Sequence, residues 1–477
     1  MTRRLLLGVL SLVAMAAGAE TGIDDILAEL EVIRTESGMA SAYVLMVDRE
    51  RILVHQGLGI RSWDDPRAVT DQDYYRLGSI SKAFTGLALL KAEQQGCLRL
   101  DDAVSEHVEQ LPYVNRWPQA ITFAMLMEHT AGWHDMSWKE FKYNQPVSLE
   151  QAFQVNPASR ISQWPPGRHQ SYSSSGPGVA AWALEQACEV DFESFIEQQV
   201  FQPLQMPSAT FQRNAEVRKH LVGGYNTDPQ RPIRYWNFIY RPAGAMNVRP
   251  LEMARFLHML INRGKLDGKQ LFSAEQVQRM HTPATTLAAR AGMAYGYGLG
   301  IYADISDGHV IYAHGGDADG YLTRFAYSPA SGRGFFVVIT MFDHQPLRKM
   351  RALLESWLVA DLPPPKPIGF KPDAQDLSAL TGVYRPLTSR FNRVGWQDKR
   401  MRVRLSAGCL QYQLSDRSNR RWKTLIPVAR NQYRHSDEPV ATVWFGAHDD
   451  AIVFQGAAGN WQRMTDRSAA VEQDNES

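Results

Sequence analysis

The chain has 477 residues, 44% of them hydrophobic and 21% charged, with 51 Lys and Arg against 50 Asp and Glu. That length and apolar fraction suit two or three globular domains with a sizeable core. A net charge near zero gives no whole-chain reason to expect nucleic acid as a partner.

Residues 1–19 read as a secretory signal peptide: Arg3 and Arg4 precede the apolar run Leu5 to Ala17, and Ala17-Gly18-Ala19 supply small residues before Glu20. The run is too short and wrongly flanked for a spanning helix, and no cysteine follows it to carry a lipid. No later segment reaches transmembrane length, so the expectation is an exported protein, periplasmic or secreted, with no integral span after cleavage. Over 24–34 the stripe Ile26, Leu27, Leu30 and Ile33 predicts a helix, with Asp24 and Asp25 favouring its N-terminus. Two apolar runs, 40–47 and 52–59, flank the charged turn Asp48-Arg49-Glu50-Arg51 and read as a β-hairpin. Residues 76–280 are rich in helical patterns broken by Pro and Gly, among them 251–262 with its Met253, Phe256, Leu257 and Leu260 face. Strand signals return at 310–313, 321–327 and 334–341, and a helix over 347–359 closes the unit.

This order describes an α+β domain over 20–362, an antiparallel sheet flanked by terminal helices and split by a large helical insert, with a cleft between sheet and insert. A stiff Pro-rich linker follows over 363–376, then short alternating segments over 377–465 that predict a small all-β domain, then a polar tail, 466–477. Over 377–464, 14 Lys and Arg exceed 6 Asp and Glu by eight, so an anionic cell-envelope polymer is a candidate partner for this domain. Cys97, Cys188 and Cys409 are odd in number and lack metal-type spacing; they imply no disulfide framework and are expected to pack as small apolar side chains. His129 and His134 lack helical i, i+4 spacing and a third ligand, and no metal or cofactor is expected.

The chemistry concentrates in Gly78-Ser79-Ile80-Ser81-Lys82. A serine and a lysine three apart on a helix share a face, so the amine can take the hydroxyl's proton as the oxygen attacks an acyl carbon. Behind them in chain order stand Tyr172-Ser173-Ser174, led in by Pro165-Pro166-Gly167, and His314-Gly315-Gly316. Tyr113-Val114-Asn115, Tyr235-Trp236-Asn237 and His55-Gln56-Gly57 are decoys for the second and third motifs. Their flanks count against them, since His55 precedes Ser79 on the hairpin and Tyr113 lies before the His129 segment.

Ser-x-x-Lys, Tyr-x-Asn and Lys-Thr-Gly or His-x-Gly in this order mark the serine β-lactamase and penicillin-binding superfamily, and residues 24–360 resemble its class C-related branch of β-lactamases, DD-peptidases, esterases and D-aminopeptidases. Leu126 to Trp133, Gly244 to Asn247 and Tyr295 to Gly300 add similarity. The resemblance implies Ser79 as nucleophile, Lys82 as its base and Tyr172 as the general acid and base that serves the leaving group. It places the oxyanion between the backbone N–H groups of Ser79 and Asp317, lets substrate lie close to Gly315 and Gly316, and makes His314 an electrostatic or hydrogen-bonding wall. Ser174 replaces the family asparagine and His314 the lysine that helps recognise a substrate carboxylate. Both changes argue against an efficient β-lactamase and for an esterase or a peptidase or amidase acting on D-amino-acid substrates. Alternatives are a cell-wall DD-peptidase or weak class C-like β-lactamase, and a non-catalytic penicillin-binding or envelope-binding protein.

Overall fold

The hairpin forms because its turn satisfies itself: Asp48 Oδ1 accepts from the Glu50 and Arg51 backbone N–H groups at 2.8 and 2.9 Å, closing the chain between β1 (Ser41–Val47) and β2 (Ile52–Gly59). The computed structural model describes residues 22–464 apart from 109–110, 112, 142, 144–145, 229–230, 367–368, 373 and 416–420. The expected signal peptide and polar tail lie outside the described residues. Helix α1 (Ile23–Ser37) opens the domain, α2 (Ser81–Gln95) and α3 (Ser175–Cys188) lie in the insert, and α4 (Met253–Ile261) covers the sheet. Then come β3 (Tyr302–Ser306), β4 (His309–Ala318), β5 (Tyr321–Ser328), β6 (Arg333–Ile339) and α5 (His344–Val359).

The sheet is antiparallel in the order β2-β1-β6-β5-β4-β3, so the N-terminal hairpin joins the C-terminal strands through the Ala42 to Ile339 register. Every residue of β1 is buried because both faces are covered. Ala42, Val44 and Met46 pack with α1 and α5, while Tyr43, Leu45 and Val47 pack with the insert. The sequence expectation of three strands after the insert is corrected to four. Residues 302–306 are half-buried on an edge strand and carry Asp304 and Ser306, which blunts the apolar alternation by which strands are recognised.

The C-terminal all-β domain is a closed barrel of eight strands running from Gly382–Pro386 to Gly459–Arg463, which pair with each other to close it. Tyr384, Tyr412, Phe445 and Phe454 fill its interior. The barrel packs on the first domain through Trp444 and Val453 against Ala288 and Met293.

The cysteine expectation is corrected as well. Cys97 and Cys188 are joined in a disulfide with their Cα atoms 5.2 Å apart, leaving Cys409 free. Each follows or ends a helix, Cys97 two residues beyond α2 and Cys188 at the end of α3, so packing of the two helices brings together residues that no local spacing relates.

Candidate active site

Ser79 sits in a 3₁₀ turn, Gly78–Ile80, that runs directly into α2. Gly78 has φ +54, and a side chain there would strike the Asp317 backbone at 2.7 Å, so only glycine lets the turn lie against β4. Ser81 fixes the same turn from the other side: its Oγ donates to Gly78 O at 2.6 Å and accepts from the Met246 backbone N–H at 3.1 Å. Lys82, one turn along and buried, places Nζ 3.0 Å from Ser79 Oγ and donates to Ala243 O at 2.7 Å. Burial is the main cause that pushes the Lys82 pKa down to about 7, with Asp135 and Asp317 opposing and Arg390 assisting. Near neutrality the amine therefore carries a free lone pair in much of the population, which the Ser79 hydroxyl can reach.

Tyr172 arrives from the segment before α3. Its ring lies 4.9 Å from Lys82 Nζ, and its hydroxyl is coupled by a hydrogen bond to Ser79. Burial raises the phenol's pKa and the Ser79 contact lowers it less, so Tyr172 rests protonated, in the form that can donate a proton. Ser79 and Tyr172 are half-buried and open to the cleft, whereas Lys82 is sealed.

His314 stands on β4, and burial pushes its pKa down to about 3, so the ring is neutral. Nδ1 lies against Gly315 O, which can only accept, and this fixes the proton on Nδ1; Nε2 therefore accepts from the Tyr297 hydroxyl at 2.6 Å. Both nitrogens are engaged within the protein, so His314 shapes the wall through Tyr297. Gly315 and Gly316 follow on a stretch of β4 that outruns β3, whose last partner is Ala313 opposite Tyr302. The edge of β4 from His314 to Ala318 is thus free on that side. A methyl on Gly316 would meet Leu77 O at 1.8 Å, while one on Gly315 would meet only Thr323 O at 3.5 Å. Asp317 is exposed with its backbone beside the Ser79 turn. Ser174 is buried, and its backbone N–H donates to Asp135 Oδ1 at 2.8 Å.

Four site residues were not singled out from sequence for these roles: His129, Asp135, Tyr297 and Arg390. The His129 ring lies 4.3 Å from Tyr172 and 4.5 Å from Tyr297 between ring centroids, and its Nδ1 accepts from the Ser173 N–H at 3.3 Å. Arg390 comes from a loop of the barrel. Its guanidinium stands 4.6 Å from the Tyr172 ring centroid and donates through Nε and Nη2 to Asp135 Oδ2 at 2.9 and 2.8 Å. Ser389 O accepts from His134 Nδ1 at 2.7 Å, anchoring the same loop. Asp135 is fully buried and accepts from both domains, so it links the barrel to the Tyr172 segment. The His129 segment carried a sequence signal through its likeness to the family; nothing local marked Arg390. Among the described residues no group of three His, Cys, Asp or Glu forms a metal-type cluster.

The β-lactamase family model matches residues 23–356. The chain belongs to the β-lactamase family. As a member it is 24% identical over 305 residues to Protein flp of Staphylococcus aureus (strain MW2), an alignment covering 63% of this chain and 59% of that protein, so the chain spans about three-fifths of that relative's length. It is 27% identical over 168 residues to a β-lactamase of Yersinia enterocolitica, covering 35% of this chain and 41% of that one. Among solved structures, the octameric penicillin-binding protein homologue from Pyrococcus abyssi matches 92% of this chain and 100% of its own with a TM-score of 0.61 at 18% identity. SurE with D-Leu matches 92% and 99% with a TM-score of 0.59 at 18% identity. A β-lactamase/D-alanine carboxypeptidase from Yersinia pestis matches 70% and 97% with a TM-score of 0.57 at 20% identity. At these identities the structural matches establish the fold of this β-lactamase-family chain.

Proposed function

We propose that this protein is an exported serine hydrolase that forms an acyl-enzyme on Ser79 and cleaves small esters or D-amino-acid peptides and amides. The observation that carries the reading is the 3.0 Å approach of Lys82 Nζ to Ser79 Oγ, with the amine held by Ala243 O and its pKa lowered to about 7 by burial. The neutral amine takes the Ser79 proton as Oγ adds to the substrate carbonyl. The oxyanion faces the backbone N–H groups of Ser79 and Asp317. Collapse of the adduct expels the alcohol or amine, which takes its proton from the Tyr172 hydroxyl, and the Lys82 ammonium restores the phenol. Water then attacks the acyl-enzyme with the same groups acting in reverse, releasing the acid and free Ser79.

The neutral, fully engaged His314 supplies no cation where lactamases use lysine, which speaks for esters or peptides over β-lactams. A narrower reading, a peptidase taking substrates with a free carboxylate, is favoured by the half-exposed Arg390 guanidinium above Tyr172. Export accords with the N-terminal sequence and with the Cys97–Cys188 disulfide, a bond that persists in oxidising compartments. The basic excess of the barrel would then face the anionic envelope.

Covalent trapping with a fluorophosphonate followed by mass mapping tests the reading. Label on the Ser79 peptide, absent in Ser79→Ala, is expected, and label elsewhere or none rejects it. A panel of a chromogenic short-chain ester, a D-alanyl-D-alanine peptide and a chromogenic cephalosporin separates esterase, peptidase and lactamase.

A further inference from the structure

A cavity of about 410 Å³ opens beside Tyr172 on the side facing the barrel. One wall is the aromatic cluster Tyr295, Tyr297 and Tyr302 with Met293; the other is the barrel turn that joins its last two strands, Gly456 to Gly459, with Ala457 exposed at the tip. Its volume falls in the range of small-molecule sites, about 300–1,000 Å³. Among the described residues lining it, none is Asp, Glu, Lys, Arg or His.

Several polar groups of these walls are already taken. The Tyr297 hydroxyl donates to His314, and the Tyr302 hydroxyl accepts from Arg324. Gln455 Oε1 accepts from the Ala288 N–H at 2.8 Å, and its Nε2 donates to Arg168 O at 2.9 Å and Asn460 Oδ1 at 2.8 Å. Asn460 Nδ2 donates to Gln170 O at 2.8 Å and Thr388 Oγ1 at 2.9 Å. Beside the Tyr295 hydroxyl and the Gln170 amide, what remains for a guest is ring faces, a thioether and bare backbone, surfaces that favour an uncharged apolar or aromatic group.

Tyr172 and Tyr297 belong both to this cavity and to the candidate site, and of the two it is Tyr172 that hydrogen-bonds to Ser79. The residue whose hydroxyl meets Ser79 is thus also part of this cavity's lining. We propose that the cavity is the subsite for an apolar or aromatic leaving group, so that the barrel sets which alcohol or amine is released. The proposal rests on the hydrolase reading above for its catalytic meaning, though not for the binding itself.

The test uses the full chain, the variant Ala457→Trp and two acetyl esters, ethyl acetate and 2-naphthyl acetate. Ala457 lies outside the catalytic machinery and is exposed, so an indole there projects into the cavity without disturbing a core. At about fourfold per buried methylene-sized group, loss of the naphthyl contacts predicts at least a tenfold fall in kcat/KM for 2-naphthyl acetate, with ethyl acetate within about twofold of wild type. Titration of 2-naphthol into Ser79→Ala, with and without Ala457→Trp, reads binding without turnover and is expected to saturate only where Ala457 is retained. Equal effects on both esters, or none, with 2-naphthol binding unchanged, overturn the subsite while leaving the hydrolase intact. Naphthol binding that Ala457→Trp abolishes in a protein that turns over neither ester and takes no fluorophosphonate on Ser79 upholds the cavity and overturns the hydrolase reading instead.

Discussion

The Arg390 guanidinium lies 4.6 Å from the centre of the Tyr172 ring, although the carboxylate that holds it there, Asp135, is 255 residues away in the chain. Both members of the Arg390–Asp135 pair also act on Lys82, Arg390 lowering its pKa and Asp135 raising it. Removing the guanidinium in Arg390→Ala is therefore expected to move the acid limb of the pH–kcat/KM profile to higher pH, and Asp135→Asn to move it to lower pH. Shifts in the same direction, or none, measured on a neutral ester would show that neither charge reaches the amine.

Lys82 itself gives the limb its position. Its amine is the reactive form, so activity should rise with pH through about 7 and be lost below it as the ammonium forms. Lys82→Arg keeps a cation but cannot deprotonate, and kcat is expected to fall by about 10²–10⁴-fold with fluorophosphonate labelling slowed alongside. A variant retaining wild-type labelling would remove Lys82 from the base role.

Two adjacent glycines should respond oppositely to the same methyl group. Gly316→Ala puts a carbon 1.8 Å from Leu77 O and is expected to lower the melting temperature sharply or to prevent soluble expression. Gly315→Ala meets only an ordinary contact at 3.5 Å, and its methyl points to the sheet face opposite that of Gly316, so its melting temperature should stay within about 2 °C and its kcat/KM within about twofold of wild type. Calorimetry and ester kinetics on the two variants check this together.

Loss of the Cys97–Cys188 bond is expected to cost about 2–4 kcal/mol of stability, read as a lower denaturant midpoint for Cys97→Ser or for wild type in reductant. Cys409→Ser, which removes the free thiol, should match wild type.

How far the sequence revealed this molecule follows from the range of each interaction. Ser79 and Lys82 were legible because one helical turn brings them together, and the hairpin because Asp48 closes its turn locally. The motif around Tyr172 was legible through its order and flanks. Arg390, by contrast, belongs to a barrel loop whose local pattern says nothing of Asp135, and the Cys97–Cys188 pairing depends on how α2 and α3 pack. The edge strand Tyr302–Ser306 escaped for a local reason, since its half-buried residues weaken the period-two signal. The barrel read as all-β, but its closure rests on the pairing of Tyr384 with Arg463 at opposite ends of the domain, which alternation cannot express.

The groups that meet at Tyr172 belong to two folding units, and the second contributes them from loops: Arg390 from one, the turn at 456–459 from another. Loops accept insertion and exchange more readily than the strands that carry them. The barrel can thus be re-edited to admit different molecules while the serine, the amine and the phenol keep their spacing, which divides the inheritance of reactivity from that of selectivity.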